Sequence, residues 1–421
     1  MKTDLAHPER AAEAPSPAKG RPTRLLIIAI DAPFLVTHRL PLASAASREA
    51  GFDVHIAAPI DPTSTREDER ARQRIEAEGL TFHRIPLKRS SMDPWREGQL
   101  VRVLDALIDT IKPDLIHCVG MKPVLYAGAL ARLKRLPAVH AVTGLGHTFM
   151  GQTLPARLRR FLLMRFYTFA FGGRQACVIV QNPDDRALFA KARALEPRRT
   201  FLLRGTGADL TRFKPRGAEA ALAGRPLVVM LAARLIEAKG IRDFVAAAEA
   251  IRARGGPQVR FVLLGTRDAE NPTCVAEADL ERWHATGVIE WWGHSDDMPD
   301  MLRKADIFCL PSWYREGIPK VLIEAAASGL PIVTTDMPGC REVVRDGENG
   351  FLVPPRDPKA LVAALSRLLE DPALRHRFAI RAREIAVAEF SLDAFLTASL
   401  AVYRAALETR RANQSTVGPD R

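Results

Sequence analysis

Residues 311–331 read Pro311-Ser-Trp-Tyr-Arg-Glu316-Gly317-Ile318-Pro319-Lys320-Val-Leu-Ile-Glu324-Ala-Ala-Ala-Ser-Gly329-Leu-Pro331, with one carboxylate before a predicted helix and a second inside it. Pro319 suits the first helical turn, because its missing N–H costs nothing there, and Gly329 ends the helix. Glu324 lies five residues after Pro319, roughly 8 Å along the axis. Two such carboxylates with helix N–H groups between them can hold two hydroxyl-bearing rings joined by phosphates, as in a nucleotide-sugar. A helix of the buried core would not explain Glu324, since an unpaired carboxylate on an apolar face is costly.

Apolar runs alternate with helical patterns on both sides of this stretch and predict two α/β domains. In the first domain, 24–215, we expect strands at 24–30, 53–58, 81–86, 114–118, 138–142 and 176–181, and helices at about 38–50, 95–111, 123–134 and 155–171. In the second domain, 224–390, we expect strands at 226–232, 259–265, 288–291, 306–310 and 331–334, after an Ala/Gly linker at 218–225. The predicted fold class is α/β, with two tandem doubly wound Rossmann-like domains facing a central cleft.

The two ends of the chain are expected to lie outside these domains. Residues 1–23 are rich in Ala, Pro and charge and lack an apolar h-region, which indicates a disordered tail rather than a signal peptide. Residues from 357 to about 412 have a helical, amphipathic pattern, and 391–421 are expected to form a C-terminal helix and tail that pack back on the first domain. Five scattered cysteines indicate buried thiols in a reducing compartment.

The net charge of +12 is unevenly distributed along the chain. Between Leu115 and Pro183 there is no Asp or Glu, but there are nine Lys and Arg residues. Within this region, residues 154–171 interleave arginines with large aromatic and aliphatic side chains, a pattern suited to the interface of an anionic membrane. A core helix with a solvated basic edge and a nucleic-acid-binding segment are the alternatives. Since no nucleic-acid-binding motif accompanies the charge, we do not expect nucleic acid as a partner.

Two cations follow the first strand of the second domain, in Arg234-Leu-Ile-Glu-Ala-Lys239-Gly240. Arg234 and Lys239 flank the predicted turn into the next helix, where two fixed cations can bind a diphosphate without a metal. The chain contains no Asp-x-Asp pair, a common device for holding a metal on a diphosphate. We therefore expect neither a metal site nor a cofactor. A pair of surface charges is the alternative interpretation.

A series of motifs in the second domain resembles the retaining GT-B glycosyltransferases of family 4. The series is Arg234…Lys239-Gly240, Gly265-Thr266, Trp292-Gly293-His294, Pro311-Ser312…Glu316-Gly317…Glu324-Ala325, Asp336…Pro338-Gly339…Glu342-Val343 and Asp346-Gly347-Glu-Asn349-Gly350-Phe-Leu-Val353. Three first-domain segments are similar to the branch of that family that uses polyprenyl-diphosphate-sugar acceptors in O-antigen, capsule and exopolysaccharide synthesis. They are Thr37-His38-Arg39-Leu40-Pro41-Leu42, Lys122-Pro123-Val-Leu-Tyr and Thr143-Gly144-Leu145-Gly146.

The resemblance implies a role for each matching residue. Arg234, Lys239 and Glu316 would be catalytic, the cations neutralising the departing diphosphate and Glu316 holding hydroxyls of the transferred sugar. The donor would also be bound by Gly265, Thr266, Gly293, His294, Gly317, Ile318, Pro319, Lys320 and Glu324, the last through the ribose hydroxyls. The acceptor would be bound by His38, Arg39, Lys122, Thr143 and Gly144, and His38 is also a candidate for the donor phosphate. Where related members have a His-Gly pair that contacts the donor sugar, this chain has Thr143-Gly144, and His140 and His147 lie out of register.

The implied activity is the retaining transfer of a hexose or N-acetylhexosamine from a UDP-sugar to a lipid-linked, undecaprenyl-diphosphate saccharide. The resemblance favours UDP over GDP, and it implies a cytoplasmic enzyme peripherally associated with the anionic inner face of the plasma membrane. A same-face displacement and a covalent intermediate are both open as mechanisms. Two other functions are open as well: a GT-B glycosyltransferase with a soluble acceptor, of the sucrose- or glycogen-synthase type, and a non-catalytic nucleotide-sugar-binding protein.

Overall fold

A computed structural model describes residues 21–60, 66–89, 91, 93–146, 153–217, 225–255, 258–268, 271 and 273–415. Most of the predicted tail 1–23, most of the linker 218–225 and the end of the chain after 415 lie outside these described residues. His147 also lies outside them.

Among the described residues, the first domain is built on a sheet of seven parallel strands. They are β1 Arg24–Ile28, β2 Asp53–Ala58, β3 Thr81–Arg84, β4 Leu115–Val119, β5 Ala138–Val142, β6 Ala176–Val180 and β7 Thr200–Leu202, in the spatial order β3-β2-β1-β4-β5-β6-β7. Strands β4, β5 and β6 are buried at every position, as continuous apolar runs predict for strands covered on both faces. The strand order reverses direction between β1 and β4, the position at which such sheets bind ligands.

Seven helices of the described chain cover this sheet: α1 Ala32–His38, α2 Leu40–Arg48, α3 Arg66–Ala77, α4 Pro94–Ile111, α5 Met121–Leu133, α6 Leu154–Phe171 and α7 Pro183–Lys191. The helix predicted at about 38–50 is present as α2, whereas α1 was not predicted, and Arg39, with φ −133° and ψ −16°, separates the two helices. Pro41 explains the break, since its missing N–H cannot continue the hydrogen-bond ladder of α1. His38 is thereby placed in the last turn of α1.

The second domain repeats the architecture with six parallel strands in the described part of the chain. They are β8 Leu227–Ala232, β9 Val259–Leu264, β10 Glu290–Gly293, β11 Ile307–Leu310, β12 Ile332–Thr335 and β13 Gly350–Val353, in the order β10-β9-β8-β11-β12-β13. The helices are α8 Ile241–Ala253, α9 Glu277–Ala285, α10 Met298–Lys304, α11 Lys320–Ala327, α12 Cys340–Val343, α13 Pro358–Glu370 and α14 Pro372–Glu389. Strands β7 and β13 were not predicted. β13 starts at a glycine just after a turn, where strand propensity is low.

Helix α15, Leu392–Ser415, returns the chain to the first domain. Its side chains Phe395, Leu400 and Tyr403 belong to the apolar core on one face of the first sheet, and Tyr403 Oη lies 2.6 Å from His117 Nδ1. The two segments that join the domains also contact each other, because Ala208 N donates to Phe390 O at 2.9 Å. The predicted fold class, two tandem doubly wound Rossmann-like domains, is confirmed by this arrangement.

Candidate active site

The loops that follow the strands of both sheets meet around Glu316. Gly144, just after β5, forms an antiparallel β-bridge with Glu316, and Gly317 N donates to Thr143 O at 3.0 Å. The approach is close, since a Cβ at Gly144 would stand 2.8 Å from the Glu316 Cα and the Gly317 N. The structure therefore brings Thr143 and Gly144 against the loop predicted to hold the donor sugar, through backbone contacts.

Glu316 forms an ion pair with Lys239 in this cleft. Lys239 Nζ donates to both carboxylate oxygens, at 2.6 and 2.8 Å, and the two side chains are only 10% and 18% exposed. Lys239 ends a 3₁₀ turn, Glu237–Lys239, and the next residue, Gly240, has a φ of 74°. A Cβ at Gly240 would overlap Pro311 O at 2.1 Å, so glycine allows the two loops to touch. Two of the three predicted catalytic residues are thus directly paired.

Helix α11 begins one residue later than predicted. Pro319 has a φ of −61° and a ψ of 116°, so it precedes the helix in an extended conformation instead of occupying the first turn. Pro319 offers no side-chain cap to the helix. Ile318 N is held instead from the first domain, by Gln181 Oε1 at 3.2 Å. The loop Gly317–Lys320 therefore presents the N-terminus of α11 to the cleft, as a binding site for phosphate or sugar oxygens requires.

Glu324 forms an ion pair. The argument that a core helix would leave this carboxylate unpaired is therefore wrong. Lys320 Nζ, one helical turn earlier, donates to Glu324 Oε1 at 2.6 Å, and the Glu324 side chain is 8% exposed. This pairing offsets the cost of burying the charge. The pair still places one carboxylate and one ammonium beside the cleft loop, within the same two turns of α11.

His38 and Arg234 complete the polar part of the site. Arg234 is half exposed, and its Nη1 donates to Asp268 Oδ2 at 2.9 Å. Burial, followed by the positive charges of Lys320, Arg39, Arg234 and Lys239, holds the pKa of His38 well below its ordinary value. His38 is therefore a neutral imidazole near neutral pH, which donates a hydrogen bond from one ring nitrogen and accepts one at the other.

Gly265, Thr266, Gly293 and His294 lie together at the ends of β9 and β10. Gly265 has a φ of 143° and donates its N–H to Gly293 O at 2.7 Å, while Thr266 O accepts from Leu235 N at 3.0 Å. A Cβ at Gly265 would be 1.9 Å from Ala233 O, directly before Arg234. His294 is half exposed, with Nε2 3.1 Å from Asp296 Oδ1. These four predicted donor-binding residues are thus adjacent to the Arg234 turn.

Two predicted acceptor residues point elsewhere. The structure contradicts the prediction that Arg39 binds the acceptor, because the Arg39 side chain is buried against α15. Its guanidinium carbon lies 5.6 Å from the centre of the Phe395 ring. Its Nη1 donates to His38 O at 3.0 Å, so Arg39 stabilises the backbone at His38. Lys122 Nζ is engaged by Lys88 O, Ser91 O and Glu97 Oε1 at 2.7–2.8 Å, and its side chain is 15% exposed. In this structure both side chains stabilise the first domain.

Sequence reasoning missed several residues of the cleft. Gln181 follows β6 directly, and a Cβ at Gly317 would overlap its Oε1 at 1.8 Å. Asp185 is fully buried and pairs with Arg315 of the second domain at 3.2 Å, and burial raises the pKa of this carboxyl against the effect of Arg315. For Gln181 the available signal was a polar residue directly after a buried parallel strand, the position from which such sheets contact ligands.

Helix α6 exposes most of its large apolar side chains. Leu154, Leu158, Phe161, Leu162 and Phe166 are each between 50% and 78% exposed, and Arg157, Arg159 and Arg165 are exposed beside them; we call these eight residues the α6 surface. Contiguous exposed apolar area of this kind marks an interaction site. In the part of the chain that the structure describes, no helix is long and apolar enough to cross a membrane. Nor do the described residues contain a group of three or more His, Cys, Asp or Glu placed to hold a metal ion.

Each domain matches a known protein family. The first domain matches the family described as "Glycosyl transferase 4-like" over residues 26–182, and the second matches "Glycosyl transferases group 1" over residues 225–371. The chain is 28% identical to the N,N'-diacetylbacillosaminyl-diphospho-undecaprenol alpha-1,3-N-acetylgalactosaminyltransferase of Campylobacter jejuni, over 75% of this chain and 83% of the relative. It is 33% identical to the glycogen synthase of Mycobacterium tuberculosis over 45% of each chain.

Solved structures show the same fold over nearly the whole chain. Sucrose-phosphate synthase from Thermosynechococcus elongatus superposes with a TM-score of 0.72 and 22% identity, over 91% of this chain and 98% of that one. HepE of Anabaena, solved with UDP and glucose, has a TM-score of 0.71 and 18% identity, over 91% and 99% of the two chains. Each domain matches a glycosyltransferase family over most of its length, and the two domains have the arrangement of these solved structures, so the protein is a glycosyltransferase with the GT-B fold.

Proposed function

We propose that this glycosyltransferase moves a hexose or N-acetylhexosamine from a UDP-sugar to an undecaprenyl-diphosphate-linked saccharide in cell-surface polysaccharide synthesis, with retention of configuration. The observation that carries the proposal is the Lys239–Glu316 pair at the point where loops of both domains touch. A sugar held by Glu316 lies against the first domain, which is where an acceptor must approach. The C. jejuni relative, whose name gives a diphospho-undecaprenol acceptor, supports the choice of acceptor class.

The charges of the cleft suit a donor whose diphosphate leaves. Glu316 would accept hydrogen bonds from hydroxyls of the transferred sugar, while Lys239 and Arg234 stabilise the negative charge that develops on the diphosphate. The N-terminus of α11 adds backbone donors, and Glu324 would accept from the ribose hydroxyls. We propose that these cations act without a metal ion or cofactor.

The proposed mechanism is a same-face displacement. The bond from the anomeric carbon to the diphosphate oxygen breaks, and the acceptor hydroxyl forms the new bond on the same face of the sugar. The acceptor proton passes to the departing phosphate oxygen, and UDP leaves. Glu316 is neutralised by Lys239 at 2.6 and 2.8 Å, which makes its carboxylate a poor nucleophile and disfavours a covalent intermediate.

A transfer assay tests the proposal directly. Wild-type protein with UDP-sugars and a lipid-linked acceptor, in buffer containing EDTA, is expected to form a product whose anomeric configuration by NMR matches the donor. Glu324→Ala is expected to lose stabilisation by UDP-sugars in thermal-shift measurements, since the carboxylate proposed for the ribose is removed. Inverted configuration would contradict the retaining mechanism. A wild-type protein that neither transfers nor is stabilised by any nucleotide-sugar would contradict the proposed function as a whole.

The α6 surface supports a membrane-bound acceptor. Its exposed leucines and phenylalanines can enter the headgroup boundary while its arginines contact anionic lipid, as interfacial helices do. We propose that the enzyme acts at the cytoplasmic face of the plasma membrane, bound peripherally through this surface. The competing candidate is a soluble acceptor, favoured by the similarity to glycogen synthase and to the fold of sucrose-phosphate synthase.

A flotation assay separates these two candidates. Wild-type protein is expected to float with vesicles containing phosphatidylglycerol, and Arg157→Glu/Arg159→Glu is expected to reduce the floated fraction at least about fivefold, because two attractive charges become repulsive. The double variant Arg252→Glu/Arg254→Glu, at the end of α8 in the second domain, makes the same charge change away from α6 and is expected to float like wild type. Equal flotation of both variants would contradict membrane binding through the α6 surface, and no flotation by wild type would favour the soluble acceptor.

A further inference from the structure

Arg89 reaches across the cleft from the first domain to the second. Its Nη2 lies 3.3 Å from both carboxylate oxygens of Asp268, and its Nη1 lies 3.4 Å from Asp31 Oδ2, at the end of the loop after β1. Asp268 is the same carboxylate that holds Arg234 at 2.9 Å. A first-domain arginine and the arginine proposed for the donor diphosphate therefore share one carboxylate.

Arg89 acts electrostatically on two groups beside the donor loop. The positive charges of Arg89 and Arg234 both act on Asp31 and on Tyr314, where burial is the first cause of a raised pKa and the two arginines oppose it. Tyr314 lies two residues before Glu316 in the donor loop. The two guanidinium groups thus lie on opposite walls of the same part of the cleft.

The Arg89 guanidinium forms only long ion pairs with Asp31 and Asp268, whereas hydrogen bonds hold the backbone at Lys88 and Ser91. Its ion-pair distances of 3.3–3.4 Å exceed those of strong charge-assisted hydrogen bonds, and its side chain is 36% exposed. Such pairs contribute little to stability, so the guanidinium can exchange partners at small cost. The backbone is fixed by Lys122, whose Nζ binds Lys88 O and Ser91 O on either side of Arg89. Lys122 thus contacts the backbone on both sides of Arg89.

We propose that Arg89 is a diphosphate-binding residue contributed by the first domain, positioned by Lys122 and held by Asp268 and Asp31 until a substrate diphosphate replaces them. A guanidinium suits this role because its planar array of donors binds two phosphate oxygens at once. The inference rests on the proposed function, in which two substrates carry a diphosphate: the UDP-sugar donor and the lipid-linked acceptor. Both present the same chemistry to Arg89.

Calorimetric binding of two probes tests this role and distinguishes the two sources. UDP represents the donor, and farnesyl diphosphate represents a polyprenyl diphosphate. Arg89→Ala is expected to weaken the binding of at least one probe about tenfold or more, because a charged bidentate contact is lost. Weaker binding of UDP would assign Arg89 to the donor diphosphate. Weaker binding of farnesyl diphosphate alone would assign it to the acceptor diphosphate. Arg89→Lys, which keeps the charge but not the planar array, is expected to fall between wild type and Arg89→Ala, and it serves as the test if the alanine variant does not fold.

Lys88→Ala is the matched control, since it removes one exposed positive charge from the neighbouring position and leaves the Lys122 contact to the Lys88 carbonyl intact. It is expected to bind both probes like wild type. If wild type binds the probes and both Arg89 variants bind them equally well, Arg89 is only a link between domains and the inference is overturned. If wild type binds neither probe, the proposed function fails first, and this inference fails with it.

Discussion

Lys239→Met is expected to lower the transfer rate by a factor of about 10² to 10³, the usual effect of removing one preorganised group that stabilises charge in the transition state. Methionine keeps the length and apolar stem of lysine but removes the ammonium. In the structure that ammonium binds both oxygens of Glu316, and the side chain that carries it is only 10% exposed. Its electrostatic effect on a departing diphosphate is therefore strong, because little water screens it.

The same substitution also leaves Glu316 without its cation. Glu316 retains Ser312 Oγ at 3.3 Å, but a carboxylate 18% exposed that loses its ion pair is less stable. We therefore expect a lower melting temperature together with the lower rate, and the rate is to be measured well below that temperature with the donor saturating. A kcat equal to that of wild type would contradict the role given to Lys239.

Lys134→Met provides the matched control for this experiment. Lys134 also pairs with carboxylates, Asp105 at 2.9 Å and Asp109 at 2.6 Å, but on the outer surface of the first domain after α5. Its replacement removes an ion-paired ammonium in the same way and is expected to leave kcat unchanged. A difference between the two variants then reports the position of the charge and not the loss of a lysine.

Gly339→Ala is expected to destabilise the protein by about 2–5 kcal/mol and to abolish most of the transfer activity. Gly339 has a φ of 87°, and a Cβ there would stand 1.6 Å from Gly317 O and 2.8 Å from Gly317 C. The left-handed backbone costs an alanine about 1–2 kcal/mol, and forcing apart two packed backbones adds about 1–3 kcal/mol. The atoms that must move belong to the donor loop beside Glu316, so the site is distorted as well as the fold.

Gly347→Ala separates these two contributions. Gly347 has a similar φ of 77°, but nothing lies within 4 Å of the position its Cβ would take. We expect it to lower the free energy of unfolding by only the backbone term, about 1–2 kcal/mol, with kcat retained. Urea unfolding of both variants measures the loss of stability, and the transfer assay measures the loss of activity. Equal losses of stability and activity in the two variants would show that contact with Gly317 does not matter.

Much of the donor side of the site was predictable because it is encoded in short segments. The apolar runs that became β8 and β11 are each followed within a few residues by the charged motifs, and Glu316 and Glu324 flank the start of one helix. Strand burial and helix boundaries depend on nearest neighbours in the chain, so periodicity and capping preferences indicate them. Even there, the partner of Glu324 was missed, although Lys320 stands one helical turn away, where such pairs form.

The amino-acid sequence by itself determined two doubly wound domains, the helix that begins beside Glu316, and the arginine-rich apolar segment 154–171 that became α6. Only the tertiary structure decided that Lys239 pairs with Glu316, 77 residues apart, that Arg89 meets Asp268, 179 residues apart, and that Arg39 lies beneath α15. Local patterns record which side of a helix or strand is buried, and they carry no information about which loop of another domain will face it. Those contacts form only when two separately packed sheets align the ends of their strands across one cleft.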